Sequence, residues 1–307
     1  MFSVRILGSS SATPAFSRFT SSQVINFNDR YYLVDCGEGT QMQLQKYRVK
    51  FSRIDAIFIS HLHGDHMLGA PGLLSSLSIY ERTKPLHLYA PKGLMEILEM
   101  IFKSSDTVLR YEIVFHPLED FAPGEVIFNT DRLEVISLPL EHRAFCRGFL
   151  FREKNKRRKF NFFKAKSLEI PKEYFHLLKQ QRDVTLTDGR EIKADDLLFP
   201  QEEPLSYAYC SDTMEAPDLY AHINKVSLLY HEATFMSALQ ERAHQTHHST
   251  AADAGRVAAK VAAKKLIIGH FSARYRDLDP LLQEAKAEFE NTELAIEGKV
   301  FDLRKNE

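Results

Sequence analysis

The run His61-Leu62-His63-Gly64-Asp65-His66 puts three imidazoles and a carboxylate into six residues. It follows Ala56-Ile57-Phe58-Ile59, a short branched and aromatic stretch that reads as a β-strand. The cluster therefore sits at a strand's C-terminal end, where open α/β sheets place their ligands. Gly64 lets the loop turn tightly enough for several side chains to point at one place. Imidazole and carboxylate are the donors expected of a zinc site without cysteine. A solvated polar loop does not explain this density of donors, so the run predicts a metal centre.

One such run cannot close two metal spheres, and further donors have to come from later strand ends. His142 lies beyond a strand ending near Leu138, Asp212 beyond Ser206–Tyr209, and His270 beyond Leu266-Ile267-Ile268-Gly269. Each alone reads equally well as a polar loop residue. Together with the cluster they make a ligand set. Asp35 ends the strand Tyr31–Val34 and precedes Cys36-Gly37-Glu38-Gly39, where a carboxylate can orient a ligand histidine.

Outside these donors the chain is ordinary. Its 307 residues predict one large domain over 1–307 carrying an inserted element. There is no run of some 18 apolar residues to span a bilayer, and Met1 to Ser10 lacks the form of a secretory signal. The expectation is a cytoplasmic protein with no membrane association. Cys36, Cys146 and Cys210 form no CxxC and no paired framework, so they read as buried and reduced. Strand-like and helical segments alternate through the first ninety residues, with helices predicted after Gly39, over Met67–Tyr80 and over Pro91–Phe102. Ser249 or Thr250 can cap an alanine-rich helix reaching about Ala263. Residues 152–204 differ. They are charged and broken by Pro171, Gly189 and Pro200, with apolar residues too dispersed for a core of their own, and they predict a protruding insertion. Its first stretch, REKNKRRKFNFFKAK from Arg152 to Lys166, holds eight basic residues and one acid.

The aspartate after an early strand, the HxHxDH run and the spaced His142, Asp212 and His270 resemble the metallo-β-lactamase superfamily. Within it, Asp35-Cys36-Gly37-Glu38-Gly39-Thr40-Gln41, His231-Glu232-Ala233-Thr234-Phe235, His248-Ser249-Thr250 and His270-Phe271-Ser272-Ala273-Arg274-Tyr275 resemble the ribonuclease Z family, endonucleases that remove 3′ trailers from precursor tRNA. The resemblance implies an αββα sandwich and two Zn²⁺ per chain. It implies that His61, His63 and His142 hold one ion, that Asp65, His66 and His270 hold the other, and that Asp212 bridges them. It further implies a homodimer, and an arm that grips tRNA, here 152–204. The family's early loop reads close to Pro-Thr-Lys-x-Arg-Asn; this chain has Pro14-Ala15-Phe16-Ser17-Arg18-Phe19 and keeps only the proline and the arginine.

Phosphodiester hydrolysis needs a nucleophile at neutral pH and a proton for the leaving 3′ oxygen. Two metals supply the first, with Asp65, as the resemblance implies, both ligand and proton acceptor. His248 with Glu232 is the pair expected to supply the second, since a carboxylate fixes a histidine's tautomer and raises its pKa. Arg18 and Arg274 are candidate phosphate contacts, and Lys154, Lys156, Arg157, Arg158 and Lys159 candidate RNA contacts on the arm. The competing readings are a small-molecule hydrolase on the same fold, arylsulfatase-like or acting on cyclic nucleotides, and an RNA-binding subunit with a decayed site. The basic arm argues against the first, and the intact donor set against the second.

Overall fold

The computed structural model describes residues 1–154, 158–201 and 203–304. Strands β1 (Phe2–Gly8), β2 (Ser22–Phe27) and β3 (Arg30–Val34) form an antiparallel meander. Strands β4 (Ile54–Phe58), β5 (Leu86–Ala90) and β6 (Ile113–Pro117) then add in parallel. Next come β7 (Val126–Asn129), β8 (Leu133–Pro139) and β9 (Arg147–Glu153), then a two-residue-a-side hairpin of β10 (Val184–Thr185) and β11 (Glu191–Ile192). The chain finishes through β12 (Ser206–Cys210), β13 (Leu228–Glu232), β14 (Leu266–Gly269), β15 (Thr292–Leu294) and β16 (Val300–Asp302). Two seven-stranded sheets result, ordered β16-β1-β2-β3-β4-β5-β6 and β15-β14-β13-β12-β9-β8-β7.

Both faces of each sheet are covered, and the strands show it with apolar residues at odd and even positions. Phe2, Val4, Ile6, Tyr32, Val34 and Phe58 of the first sheet meet Val135, Phe149, Phe151, Tyr207, Tyr209 and Tyr230 of the second in one core. The intervening residues face outward. Leu7, Leu33 and Ile57 pack with Leu44, Leu73, Leu77, Leu94 and Leu98 of helices Thr40–Lys46, Ala70–Ile79 and Gly93–Ser104. On the other side Ala208, Leu229 and Ile268 pack with Ala254, Ala258, Leu281 and Ala285 of helices Ala251–Lys260 and Asp279–Glu288. Those two helices approach closely because the first is lined with small residues: a Cβ on Gly255 would lie 2.6 Å from the Ala285 carbonyl oxygen. This is the αββα sandwich.

Several boundaries moved. The helix expected over Met67–Tyr80 is two, Gly64–Met67 and Ala70–Ile79, with Pro71 in the first turn of the second. Thr250, not Ser249, caps the alanine-rich helix, through a reciprocal box with Asp253. Strand β9 was not anticipated, and it overlaps the start assigned to the insertion at Arg152.

The chain divides into two compact units, the sandwich and a smaller one of Thr130–Arg132 with Glu153–Pro204. The smaller unit overturns the expectation that its apolar residues are too dispersed to form a core. Phe160, Ala165, Ile170, Leu178, Val184, Leu186, Ala194, Leu197 and Leu198 are buried together. They are spread along the sequence but gathered by short elements, helices Phe162–Ser167 and Phe175–Lys179 and the β10–β11 hairpin. Among the described residues no helix is long and apolar enough to cross a membrane.

Candidate metal centre

The donors gather at and beyond the C-terminal ends of strands, with Asp65 and His66 in the short helix Gly64–Met67. Asp35 follows β3, His61 follows β4, Asp212 follows β12, Glu232 ends β13 and His270 follows β14. Because β3 and β4, and likewise β12, β13 and β14, run parallel, these ends lie side by side. Asp35 and His270 are held at φ 56° and 58°, a left-handed conformation that costs non-glycine residues of order 1–3 kcal/mol.

His61, His63, His142 and Asp212 each offer one ligand atom, all within 4.8 Å of one another, and Asp65, His66 and His270 do the same. Asp212 joins the groups. Its Oδ2 lies 3.7 Å from His61 Nε2, while its Oδ1 lies 3.4 Å from His66 Nε2 and 3.2 Å from His270 Nε2. One oxygen thus faces each group.

The outward nitrogens of His61, His66, His142 and His270 are each held by an oxygen, which decides where their lone pairs go. His66 Nδ1 donates to Asp35 Oδ2 at 2.7 Å, and His142 Nδ1 to the His247 carbonyl at 3.0 Å. His61 Nδ1 lies 3.0 Å from Ser60 Oγ, whose own hydroxyl is given to Asp35. His270 Nδ1 lies 2.9 Å from Thr234 Oγ1, whose hydroxyl is given to Glu232. Four rings therefore present bare Nε2 lone pairs inward. They crowd: His61 Nε2 is 3.0 Å from His63 Nδ1, and His66 Nε2 is 3.3 Å from His270 Nε2. Lone pairs at that range repel unless a cation sits among them, so the donor set fits metal ions. Burial pushes the His61 pKa well down, favouring the neutral ring that ligates.

Asp35 is wholly buried and accepts from the Ser60 amide at 2.7 Å, from Tyr209 Oη at 2.6 Å, and from His66. It thus holds both the Ser60 hydroxyl and the His66 ring. Glu232 and His248 could in principle ligate with Asp212 and His270, since their atoms also converge. Glu232 is already committed, however: Oε1 takes the Thr213 amide at 2.7 Å and His248 Nδ1 at 2.8 Å, and Oε2 takes the Ser249 amide and the Thr234 hydroxyl. Burial opposes a charge on His248, but the Glu232 carboxylate outweighs it and raises the pKa to about 9.

Beside this pair opens a cleft of about 500 Å³ lined by Ser11, Ala12, Arg143, Phe235, His248 and Arg274. Arg274 faces it, while Arg18, expected at the phosphate surface, is turned inward and donates to the Tyr275 carbonyl at 2.7 Å. On the smaller unit Arg158 is spent internally, on the Phe199 and Leu198 carbonyls and on Asp195. Phe160 is buried there and Phe163 exposed. Lys154 and Lys159 are at least partly exposed, and Lys156 and Arg157 lie outside the described residues. The reading of the sequence passed over Ser60 and Tyr209, which back Asp35, and gave no role to Thr234, which ties His270 to Glu232; a hydroxyl on a strand or loop carries no local signal. Arg143 was missed as well, although it directly follows His142.

Two seven-stranded sheets enclosed by helices, with this histidine and aspartate constellation at the strand ends, define a metallo-β-lactamase-fold protein with a candidate metal centre. A family model described as Anti-Pycsar protein Apyc1 matches residues 2–138. The chain is 42% identical to a ribonuclease Z of Bacteroides fragilis, covering 98% of this chain and 99% of that one, and 44% identical to a ribonuclease Z of Cytophaga hutchinsonii, covering 98% and 96%. The crystal structure of human tRNase Z, short form, superposes with a TM-score of 0.71 at 26% identity, covering 99% of this chain and all of that one. The chain belongs to the ribonuclease Z family.

Proposed function

We propose that this protein is a zinc-dependent endoribonuclease that cleaves the 3′ trailer from precursor tRNA, working as a cytoplasmic homodimer. The observation that carries the proposal is Asp212, whose two oxygens face two separate donor groups 3.2–3.7 Å away, beside a histidine held by a buried carboxylate. His61, His63 and His142 would hold one zinc ion and Asp65, His66 and His270 the other, with Asp212 shared. When bound, two zinc ions supply a nucleophile at neutral pH and compensate the charge developing on the phosphate.

The chain's own residues do the rest. Asp65 is fixed by the Ala12 amide, which donates to its Oδ2 at 2.7 Å, and it takes the proton that the attacking water gives up. The water oxygen bonds to phosphorus as the bond to the 3′ oxygen breaks. His248, its Nδ1 on Glu232, gives the proton on Nε2 to that departing oxygen. The tRNA keeps a 3′ hydroxyl and the trailer carries the phosphate. Arg274, in the same cleft, neutralises a flanking phosphate, and the basic residues Lys154, Lys156, Arg157 and Lys159 of the smaller unit bind the body of the tRNA.

Incubating the purified protein with a labelled precursor tRNA bearing a 3′ trailer, and mapping the cut, tests this reading. The alternative that the sequence leaves, a small-molecule hydrolase on the same fold, gives the opposite outcome. Turnover of bis-p-nitrophenyl phosphate with no cut in the precursor would select it.

A further inference from the structure

The segment from His142 into β9 reads Arg143-Ala144-Phe145-Cys146-Arg147, in which basic, aromatic and basic residues alternate with small ones. Exposure alternates with them. Arg143 and Phe145 are exposed, Ala144 is half-buried and Cys146 is buried. Arg143 and Phe145 therefore look outward, as residues two apart in a non-helical segment do. The Arg147 guanidinium carbon stands 4.8 Å from the Phe145 ring centre, within reach of a cation–π contact, and the ring has a second face. The fold does not use these cations up. Among the described residues the Arg143 side chain makes no hydrogen bond or ion pair, and Arg147 Nε, although buried, has no partner. Arg143 thus keeps its whole fork of donors for a ligand.

Both ends of the segment are fixed on the candidate metal centre. His142, just before it, belongs to the donor group of His61, His63 and Asp212, and its Nδ1 is held by the His247 carbonyl at 3.0 Å. At the other end the Arg147 amide bonds to the Ser60 carbonyl at 3.1 Å, one residue before His61. Arg143 lines the cleft that also holds His248. The strip thus starts beside His248 and follows the edge of that donor group from His142 to His61. In the reaction proposed above the 3′ oxygen departs beside His248, so the retained nucleotide lies there. The trailer has to leave the reacting phosphate in another direction, and the strip leads that way. An unpaired strand offers a phosphate to a free guanidinium and a base to an exposed ring, whereas a duplex hides the faces of its bases.

We propose that Arg143, Phe145 and Arg147 form a track for the unpaired 3′ trailer, with Arg143 on one backbone phosphate, one trailer base stacked on Phe145, and Arg147 holding that ring in place. This rests on the endoribonuclease reading above and names the part of the substrate that this edge of the site receives. The track reads a strand by its charge and its stacking faces, so it takes unpaired trailers of any sequence.

The test uses Arg143→Gln and Phe145→Leu in the full chain, on precursor tRNAs whose unpaired trailers run from a single nucleotide to about eight, the range of a single-strand site. Both positions are exposed, so melting temperature and zinc content are expected to match the wild type. The readout is the half-saturating concentration in single turnover. Wild type should bind the long trailer more tightly than the single nucleotide. Phe145→Leu should shrink that advantage by roughly 5- to 100-fold, the worth of one stacked base, and Phe145→Trp should restore it. Arg143→Gln should shrink it too, and should flatten the slope of log affinity against log salt on the long trailer by about 0.7, one phosphate contact to a single strand. Phe145→Leu should leave that slope as it is. No advantage of the long trailer in the wild type, losses that do not depend on trailer length, or an unchanged salt slope in Arg143→Gln would each overturn the track. Absence of any cut in precursor tRNA by the wild type, whatever the trailer, would instead overturn the endoribonuclease reading.

Discussion

Glu232 Oε1 and His248 Nδ1 lie 2.8 Å apart, and Glu232 is wholly buried. Because two backbone amides and the Thr234 hydroxyl also hold the carboxylate, it cannot swing away from the ring. His248 packs between the rings of His142 and His270, at centroid distances of 5.2 and 5.5 Å. Its Nδ1 is therefore fixed, and Nε2 is the nitrogen left to meet a substrate.

If Nε2 gives a proton to the departing oxygen, His248→Ala should retain its metal and most of its RNA affinity while single-turnover cleavage falls by about 10²–10⁴. The loss should shrink on a substrate releasing p-nitrophenolate, which departs without a proton. Equal losses on both substrates, with a lower melting temperature, would mark His248 as a packing residue.

Glu232→Gln keeps the shape of the pair and removes the charge that raises the His248 pKa to about 9. The protonated ring is the active form, so the rate falls as pH rises through that pKa. The alkaline limb of the single-turnover profile should accordingly move down from about 9 toward the ordinary histidine value of about 6.5. A limb that stays put would assign it to another group.

Asp212 faces both donor groups, so Asp212→Ala should lose occupancy at both. Elemental analysis is expected to give close to two zinc per wild-type chain, and the variant should lose metal and hydrolysis together. Full zinc and full activity in the variant would refute a shared ligand. Asp35→Asn, which weakens the hold on His66 without touching an inward nitrogen, should lower zinc affinity by about 10- to 100-fold in a chelator competition.

On the smaller unit, neutralising Lys154, Lys156, Arg157 and Lys159 together should weaken binding of precursor tRNA and flatten its dependence on salt, since fewer counterions are released. Turnover of bis-p-nitrophenyl phosphate should persist. Arg158→Gln should behave differently, lowering stability through the lost bonds to the Phe199 and Leu198 carbonyls. Parallel salt titrations of binding and thermal melts separate the two.

Local chemistry was enough to pick out side chains that the fold brings together. Short branched and aromatic runs placed most of the strands, which put His61, Asp212 and His270 just beyond buried strand ends. Asp35 was legible for the same reason. Other features depended on residues far apart in sequence. That Asp212 offers one oxygen to each donor group follows from the parallel alignment of β12, β13 and β14 and from the stacking of two sheets, neither of which is written in any local window. Thr234 acquires its role only because β13 and β14 lie side by side, which brings His270 to its hydroxyl across 36 residues. Arg18 looked like a surface cation, yet the segment after His270 supplies a carbonyl that draws it inward. The dispersed apolar residues of 153–204 make a core because hairpin and helix closures gather them. Sequence by itself determined which groups could ligate, titrate or pack, since those are properties of side chains and of their immediate neighbours. Only the tertiary structure decided which of them meet, because hydrogen bonds and ligand geometry act over about 3 Å and the chain brings such partners together solely by folding.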